Sequence, residues 1–120
     1  MFMRDEPCPH ELTYLYGILY LGINCNLVII LKRELKELDC YISYVPLTSM
    51  AHTFIKSDNK LHLFLFDEQT REATGAELMA FARTVPHRAR TPCIIVPTDA
   101  TPDNSSHLVE QIKRLLAPGG

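Results

Sequence analysis

The segment LHLFLFDEQTREATGAELMAFAR, residues 61–83, joins an apolar run, an acidic residue, a polar loop and a second patterned run. Residues 61–66 are nearly all apolar, which is typical of a strand buried on both faces of a parallel sheet. Thr74 and Glu77 have the spacing of a capping box, which predicts a helix that ends at about Thr84. The segment therefore predicts a buried strand, a loop and a helix in succession.

The same alternation of short apolar runs and amphipathic runs extends over the rest of the chain. Near the amino terminus, an aromatic and apolar run bounded by Gly22 precedes leucines and isoleucines at helical spacing. Pro46 ends the next run, and Thr48 or Ser49 has a side chain suited to capping a short helix. The further predicted strands are Tyr16–Leu21, Cys40–Val45 and Cys93–Val96, and the further predicted helices cover residues 27–38, 48–56 and 108–116.

Strands that alternate with helices predict an α/β fold. This order is typical of a flavodoxin-like, doubly wound parallel sheet with helices on both faces. In that architecture, ligands and reactive groups collect at the carboxyl ends of the strands. The candidates for a site are therefore residues 22–24, 46–48, Asp67 with Glu68, and 97–99.

The composition fits one small domain that does not bind nucleic acid. A chain of 120 residues, 47% of them apolar, is long enough for one core and too short for two ordinary domains. We expect a leader over residues 1–12 and the domain over residues 13–117. The net charge of -2 includes no basic stripe that would neutralise DNA or RNA phosphates. We expect His87, Arg88 and Arg90 to form a solvated loop, with contact to an acidic partner as the alternative.

The four cysteines predict neither a zinc site nor a cofactor. Cys8, Cys25, Cys40 and Cys93 form no C-x-x-C pair and no Cys/His cluster at metal spacing. We interpret them as reduced thiols of a cytoplasmic protein, although their even number leaves disulfides open. The five histidines are scattered without ligand spacing, so we expect no metal, no cofactor and no enzyme activity.

Residues 12–31 form a run without charged side chains that is as long as a membrane-spanning helix. A membrane span is therefore an alternative. However, Gly17, Gly22, Asn24 and Asn26 interrupt the run, and its Asn-Cys-Asn sequence indicates a loop that enters a helix. We expect a strand followed by a helix, and no contact with a membrane.

Asp67 is the strongest candidate for chemistry, because a buried strand delivers its carboxylate to the rim of the sheet. Aspartate attacks phosphoryl groups to form an aspartyl phosphate where a metal ion or fixed cations neutralise the transferring group. The alternative is a structural acid that caps the following loop or pairs with Arg71. Taken by itself, the residue favours the structural interpretation.

Three segments together resemble the receiver domains of two-component response regulators, the CheY-like family. Residues 61–83 are similar to its third strand, acceptor loop and third helix, with Asp67 on the phosphoacceptor position and Gly75 on the loop glycine. Residues 18–35, ILYLGINCNLVIILKREL, resemble its first strand and helix, and residues 91–99, TPCIIVPTD, resemble its fourth strand. The resemblance implies a signalling domain of a phosphorelay.

The positions that would carry phosphoryl chemistry depart from the family. The resemblance implies an acidic pair after the first strand that holds magnesium, and Gly22 and Ile23 offer no side-chain oxygen there. The family's Ser or Thr after the fourth strand falls on Pro97, with Thr98 one place late. Its lysine has no counterpart, because the fifth strand that carries it has none. An aspartyl phosphate at Asp67 would therefore lack charge neutralisation.

Three functional hypotheses follow from these residues. The first is a degenerate receiver, or pseudo-receiver, that binds a protein partner without being phosphorylated. The second is a functional receiver that accepts phosphate on Asp67 through an altered site. The third is an unrelated flavodoxin-like domain that oligomerises a larger enzyme, because fold alone does not set function. The missing acids favour the first hypothesis.

The short connection after the fourth strand predicts an exposed sheet edge. Residues 97–103 leave no room for both the fourth helix and the fifth strand of a standard receiver, so we expect these to be missing or shortened. Cys93, Ile94, Ile95 and Val96 would then form an edge strand with an uncovered apolar face, which is a template for pairing. We expect a homodimer or a tightly held protein partner on this strand and the flanking third helix.

Overall fold

Four strands alternate with four helices in the computed structural model, which describes residues 16–70, 72–97 and 105–116. The strands are β1 (Tyr16–Leu21), β2 (Cys40–Val45), β3 (Leu63–Asp67) and β4 (Cys93–Val96). The helices are α1 (Cys25–Glu34), α2 (Thr48–Lys56), α3 (Gly75–Thr84) and α4 (Ser106–Leu116). Short 3-10 turns, Lys36–Leu38 and Pro86–Arg88, follow α1 and α3.

The strands form one parallel sheet in the order β2-β1-β3-β4. β1 pairs with β2 from Tyr16 opposite Cys40 to Leu21 opposite Val45, and it pairs on its other side with β3. β3 in turn pairs with β4. The two central strands are buried almost throughout, as expected for parallel strands that helices cover on both sides. The predicted flavodoxin-like, doubly wound fold is confirmed.

Each face of the sheet has two helices and its own apolar core. α1 and α4 cover one face, where Ile18, Tyr20 and Leu65 are among the buried side chains. α2 and α3 cover the other face, where Leu19 and Phe66 are buried. This division follows from strand geometry, which directs successive side chains to opposite faces of a sheet.

The uncharged run of residues 12–31 is divided, where it is described, between β1 and α1. Asn24 caps α1, because its side-chain oxygen accepts the backbone N–H of Leu27 at 3.1 Å. α1 ends at Glu34, earlier than predicted, and Asp39 then adopts the left-handed conformation (φ 57°) that leads the chain into β2. In the three described ranges, no helix is long and apolar enough to cross a membrane.

The two later helices start in different ways. The predicted capping box of α3 is confirmed, since Thr74 and Glu77 each accept the other's backbone N–H. α2 instead has Leu47 at its cap, so the prediction that Thr48 or Ser49 caps this helix is wrong. The backbone N–H of Thr48 donates to the Glu72 carboxylate at 3.1 Å. This acid comes from a loop 24 residues later and supplies the negative charge that a helix N-terminus favours.

The loop after α3 contains a buried arginine. Arg88 is only 5% exposed. Its Nε donates to the carbonyl of Ile55 at 3.0 Å, and its Nη2 donates to those of Ser57 and Asn59 at 2.8 and 2.7 Å. These carbonyls lie at and beyond the C-terminus of α2, where backbone carbonyls have no N–H donor within the helix. The prediction of a solvated basic loop is therefore wrong for Arg88, because three backbone carbonyls accept the hydrogen bonds that its guanidinium would otherwise donate to water.

β4 is an edge of the described sheet, but its faces are more covered than predicted. Ile94 and Val96 are buried in the core beneath α4, and Cys93 and Ile95 are half-buried in the core beneath α3. The expected uncovered apolar face is therefore wrong within the described residues. Residues 98–104, which connect β4 to α4, lie outside the described part of the chain.

The backbone of β4 presents polar groups at this edge. The N–H of Phe64 donates to the carbonyl of Pro92, and the N–H of Glu68 donates to the carbonyl of Val96. Because strand residues alternate in direction, Cys93 and Ile95 point their N–H and C=O groups away from β3. A further strand would pair through the backbone of these two residues.

We predict that replacing Arg88 by alanine lowers the free energy of unfolding by about 2–4 kcal/mol, since it removes packing and leaves the carbonyls of Ile55 and Asn59 without the donors that Arg88 supplies. Urea unfolding at neutral pH measures the loss. Arg90→Ala is the matched control, because the side chain of Arg90 is exposed in the same loop, and it should change stability by no more than about 0.5 kcal/mol. Equal effects of the two substitutions would contradict a role for the buried guanidinium.

Candidate functional site

The carboxylate of Asp67 lies at the carboxyl end of β3, where the fold predicts a site. Asp67 is the last residue of the strand and pairs in register with Val96 of β4. Its side chain is on the same face as Leu63 and Leu65, toward α1 and α4. The residue is 5% exposed, so its oxygens are almost out of contact with water.

Both oxygens of Asp67 accept hydrogen bonds from β1 and the loop after it. The Tyr20 hydroxyl donates to Oδ1 at 2.7 Å, and the backbone N–H of Ile23 donates to Oδ2 at 3.2 Å. The Tyr20 oxygen also accepts the backbone N–H of Asn24 at 3.3 Å. Asp67 therefore holds the β1–α1 loop directly through one amide and indirectly through a second.

Gly22 makes this close approach possible. A Cβ atom at position 22 would overlap the Tyr20 hydroxyl and the Asp67 carboxylate. Glycine is the residue that leaves room for such a contact between backbone and side chain. The position that aligns with a receiver's acidic pair thus packs against Asp67 and has no space for a side chain in this arrangement.

Tyr20 is a site residue that the sequence alone does not predict. Its pattern indicates only a buried strand, because the contact with Asp67 depends on how β1 and β3 pair. Leu21 lies opposite Phe66, so Tyr20 and Asp67 are diagonal neighbours on the same face of β1 and β3. The Tyr20 ring also stacks on Tyr44 of β2, with centroids 5.6 Å apart, which fixes the direction of its hydroxyl.

The electrostatics of the pair follow from burial. Burial raises the pKa of Asp67 above its ordinary value, while the bonds from Tyr20 and from the Ile23 N–H act in the opposite direction. Burial, reinforced by the neighbouring Asp67, raises the pKa of Tyr20, which therefore stays a protonated donor. A raised carboxyl pKa contributes stability below the ordinary carboxyl range, and this contribution is lost as the pH rises through the folded-state pKa of Asp67.

The other predicted site residues differ in their exposure and in what they contribute to the site. Ile23 contributes its backbone to the site, while its side chain is 57% exposed. Glu68 is exposed, and its backbone N–H continues the pairing with β4. Pro97 is exposed directly after β4. Thr98 lies outside the described residues, as does Arg71, the suggested ion-pair partner of Asp67.

The residues beside Asp67 do not fit a magnesium ion. Magnesium takes oxygen ligands, and its protein sites use one or two carboxylates. Gly22 and Ile23 supply no side-chain oxygen, and both oxygens of Asp67 already accept donors. Over the described ranges, no group of three or more His, Cys, Asp or Glu residues is placed to hold a metal ion.

Comparison with known proteins supports the fold. No protein-family profile and no curated protein matches the chain. Among solved structures, the non-phosphorylated HemR receiver domain of Leptospira biflexa matches with a TM-score of 0.69 and 14% identity, over 85% of this chain and 94% of that one. The receiver domain of a Pseudomonas aeruginosa sensor histidine kinase, solved with magnesium coordinated in its active-site cleft, matches with a TM-score of 0.65 and 14% identity, over 84% and 97%.

A signal receiver domain from Vibrio parahaemolyticus matches with a TM-score of 0.58 and 20% identity, over 80% of this chain and 72% of that one. Three receiver domains from different bacteria thus have the fold of this chain. The resemblance suggested by residues 61–83 is confirmed at the level of the fold. At these identities the comparison identifies the architecture, and the site has to be judged from its own residues.

We predict that Tyr20→Phe lowers the free energy of unfolding by about 1–3 kcal/mol near neutral pH, because Asp67 Oδ1 loses its donor in a buried setting. The loss should shrink as the pH falls and Asp67 becomes protonated, since the hydroxyl bonds the charged carboxylate more strongly. Urea unfolding of both proteins from acid to neutral pH measures the difference.

Tyr16→Phe is the matched control for this prediction. Tyr16 lies at the other end of β1, where its ring packs edge-on against His62, with centroids 5.7 Å apart. Its substitution should change stability little and without a trend through the titration range of Asp67. A pH-independent loss for Tyr20→Phe would show that the hydroxyl does not act through Asp67.

Proposed function

We propose that this chain is a pseudo-receiver: a cytoplasmic, receiver-like domain of two-component signalling that binds a protein partner and undergoes no magnesium-dependent phosphorylation. We assign this role to residues 13–117. The chain would act by recognition and not as an enzyme. The fold it shares with three receiver domains supports the signalling context.

The enclosed carboxylate of Asp67 is the observation that carries the proposal. A phosphoacceptor oxygen has to reach the phosphorus of a donor in line with the leaving group, with cations against the transferring oxygens. Here Oδ1 and Oδ2 both face donors of the same molecule. Phosphorylation would require breaking these bonds and opening the β1–α1 loop, with no carboxylate at positions 22 and 23 to bring in magnesium.

The second candidate, a functional receiver phosphorylated on Asp67, has one observation in its favour. Asp67 ends the third strand of a receiver fold, and Gly75 starts the following helix so close to it that a Cβ there would lie 2.7 Å from the Asp67 carbonyl. These features preserve the outline of an acceptor loop. They do not supply the charge neutralisation that transfer of the phosphoryl group requires.

The edge of β4 is the surface that we assign to the partner. Cys93, Ile94, Ile95 and Val96 carry no charge, and the outward N–H and C=O of Ile95 can extend the sheet by one strand. A second copy of this chain would use the same edge through a two-fold axis. The half-buried side chains of Cys93 and Ile95, beside α3, would add apolar contact.

We predict that acetyl phosphate with millimolar magnesium leaves the chain without an added phosphoryl group, because Asp67 is enclosed and positions 22 and 23 lack acids. Intact-mass spectrometry after incubation measures this, with a standard phosphorylatable receiver as the positive control. A mass gain of one phosphoryl group that is absent from Asp67→Asn would overturn the proposal in favour of the functional receiver.

We predict that the chain forms a homodimer at micromolar concentration through β4. Ile95→Pro removes the outward N–H while leaving the β3 pairing intact, so it should yield monomers. Ile95→Ala loses the same side chain, keeps the N–H and should remain dimeric. Sedimentation velocity distinguishes these species. A wild-type monomer whose Ile95 amide is protected from hydrogen exchange would show that another segment of the chain covers the edge.

A further inference from the structure

A groove of about 340 Å³ lies at the amino-terminal end of the sheet, far from Asp67 along β1. The end of α1 and the residues directly after it form one side, with Leu31, Lys32, Leu35 and Lys36, and residues 39–42 form the other side. Leu31 and Leu35 are buried and form its apolar floor. The groove therefore combines an apolar floor with a rim of two lysines.

The rim is positively charged. Lys32 in α1 and Lys36 in the 3-10 turn that follows it are both exposed, and both line the groove. The neighbouring Arg33 pairs with Glu34 at 3.0 Å. In the described ranges, neither groove lysine has an acidic partner. Asp39 is the acid that lines the opposite side, so the lining has two positive charges against one negative charge.

The chain that precedes β1 emerges beside this groove. Tyr16, the first described residue, lies opposite Cys40, which lines the groove. The backbone N–H of Tyr16 donates to the carbonyl of Asp39 at 3.4 Å. Residues 1–15 are therefore tethered at the groove, on the β2 side of the sheet and away from β4.

The composition of residues 1–15, MFMRDEPCPHELTYL, complements the groove. The acids Asp5, Glu6 and Glu11 exceed the single Arg4 by two charges, so the sign is opposite to that of the rim. Apolar side chains flank these acids on both sides in sequence. Glu11 is five residues from Tyr16 and can lie up to about 17 Å from it in an extended chain, which covers the groove.

We propose that residues 1–15 bind in this groove, with the acids of the segment on Lys32 and Lys36 and its apolar side chains over Leu31 and Leu35. The tether raises the effective concentration of the segment at the groove, so weak contacts suffice for occupancy. The bound segment covers Tyr41, a 53% exposed aromatic residue of the edge strand β2. This inference is independent of the role assigned to Asp67.

The reactivity of Cys40 reports occupancy of the groove. The test uses chains in which Cys8, Cys25 and Cys93 are replaced by serine, so that Cys40 is the single thiol. Alkylation by a small maleimide is followed at one fixed pH, because burial, followed by Asp39, raises the pKa of Cys40 to about 11. Removal of residues 1–12 should accelerate the reaction about threefold or more, as expected from the modest energies of surface ion pairs.

Charge reversal tests the contact without truncation. Lys32→Glu with Lys36→Glu should accelerate alkylation in the full chain and not in the chain that lacks residues 1–12. Adding Asp5→Lys, Glu6→Lys and Glu11→Lys should restore the slow rate. Lys113→Glu with Arg114→Glu, on α4, is the matched control and should have no effect in either chain.

Three outcomes would overturn the inference. The first is an equal Cys40 rate with and without residues 1–12. The second is a charge-reversal effect of the same size in both chains, which would be a direct effect on the thiol. The third is protection that increases with protein concentration, which would identify a second copy as the occupant. A chain with Cys25 alone, at the opposite end of α1, shows whether any change is general to the fold.

Discussion

The hydrogen bonds that join Asp67 to Tyr20 and Ile23 determine how the carboxyl end of this sheet is organised. They connect the ends of β1 and β3 and fix the loop that leads into α1. Their formation requires glycine at position 22, because any Cβ there would collide with both partners. Burial disfavours the ionised carboxylate, and the two donors offset part of that cost. An acid that could serve chemistry is thereby used to hold the chain together.

Much of the fold could be predicted from the sequence because it depends on local periodicity. The period of the apolar residues changes between strand and helix, and the elements around Asp67 follow that change with small shifts at their ends. The capping box of Thr74 and Glu77 is local and was predicted correctly. The cap of α2 was not predicted correctly, because the Glu72 carboxylate, which accepts the N–H of Thr48, lies 24 residues away in the sequence. The burial of Arg88 depends on the same kind of distant contact.

The candidate site was predictable in part. Asp67 was identified by its position at the end of a predicted strand. The absence of an acidic pair at positions 22 and 23 identified how the site differs from that of receivers. The partner Tyr20 could have been found only by combining strand order with register, neither of which a single sequence provides. Most buried tyrosines in strands are core residues, so the residue type alone carried no signal. Among the described strands β4 lies at the edge of the sheet, as predicted, but α4 covers the face that carries Ile94 and Val96, which the pattern within the strand does not indicate.

The bonds from Arg88 to the C-terminal end of α2 affect how this region unfolds locally. Lys56 ends α2 and Lys60 lies in the connection from α2 to β3, and both are exposed residues that trypsin recognises. Cleavage requires a segment to leave its native contacts and enter a protease as an extended strand. Arg88 holds the carbonyls on either side of Asp58, so this stretch cannot detach alone. A guanidinium also keeps its charge at every physiological pH. The clamp therefore persists in acid, where Asp67 loses its charge, and the two ends of the sheet differ in their sensitivity to pH.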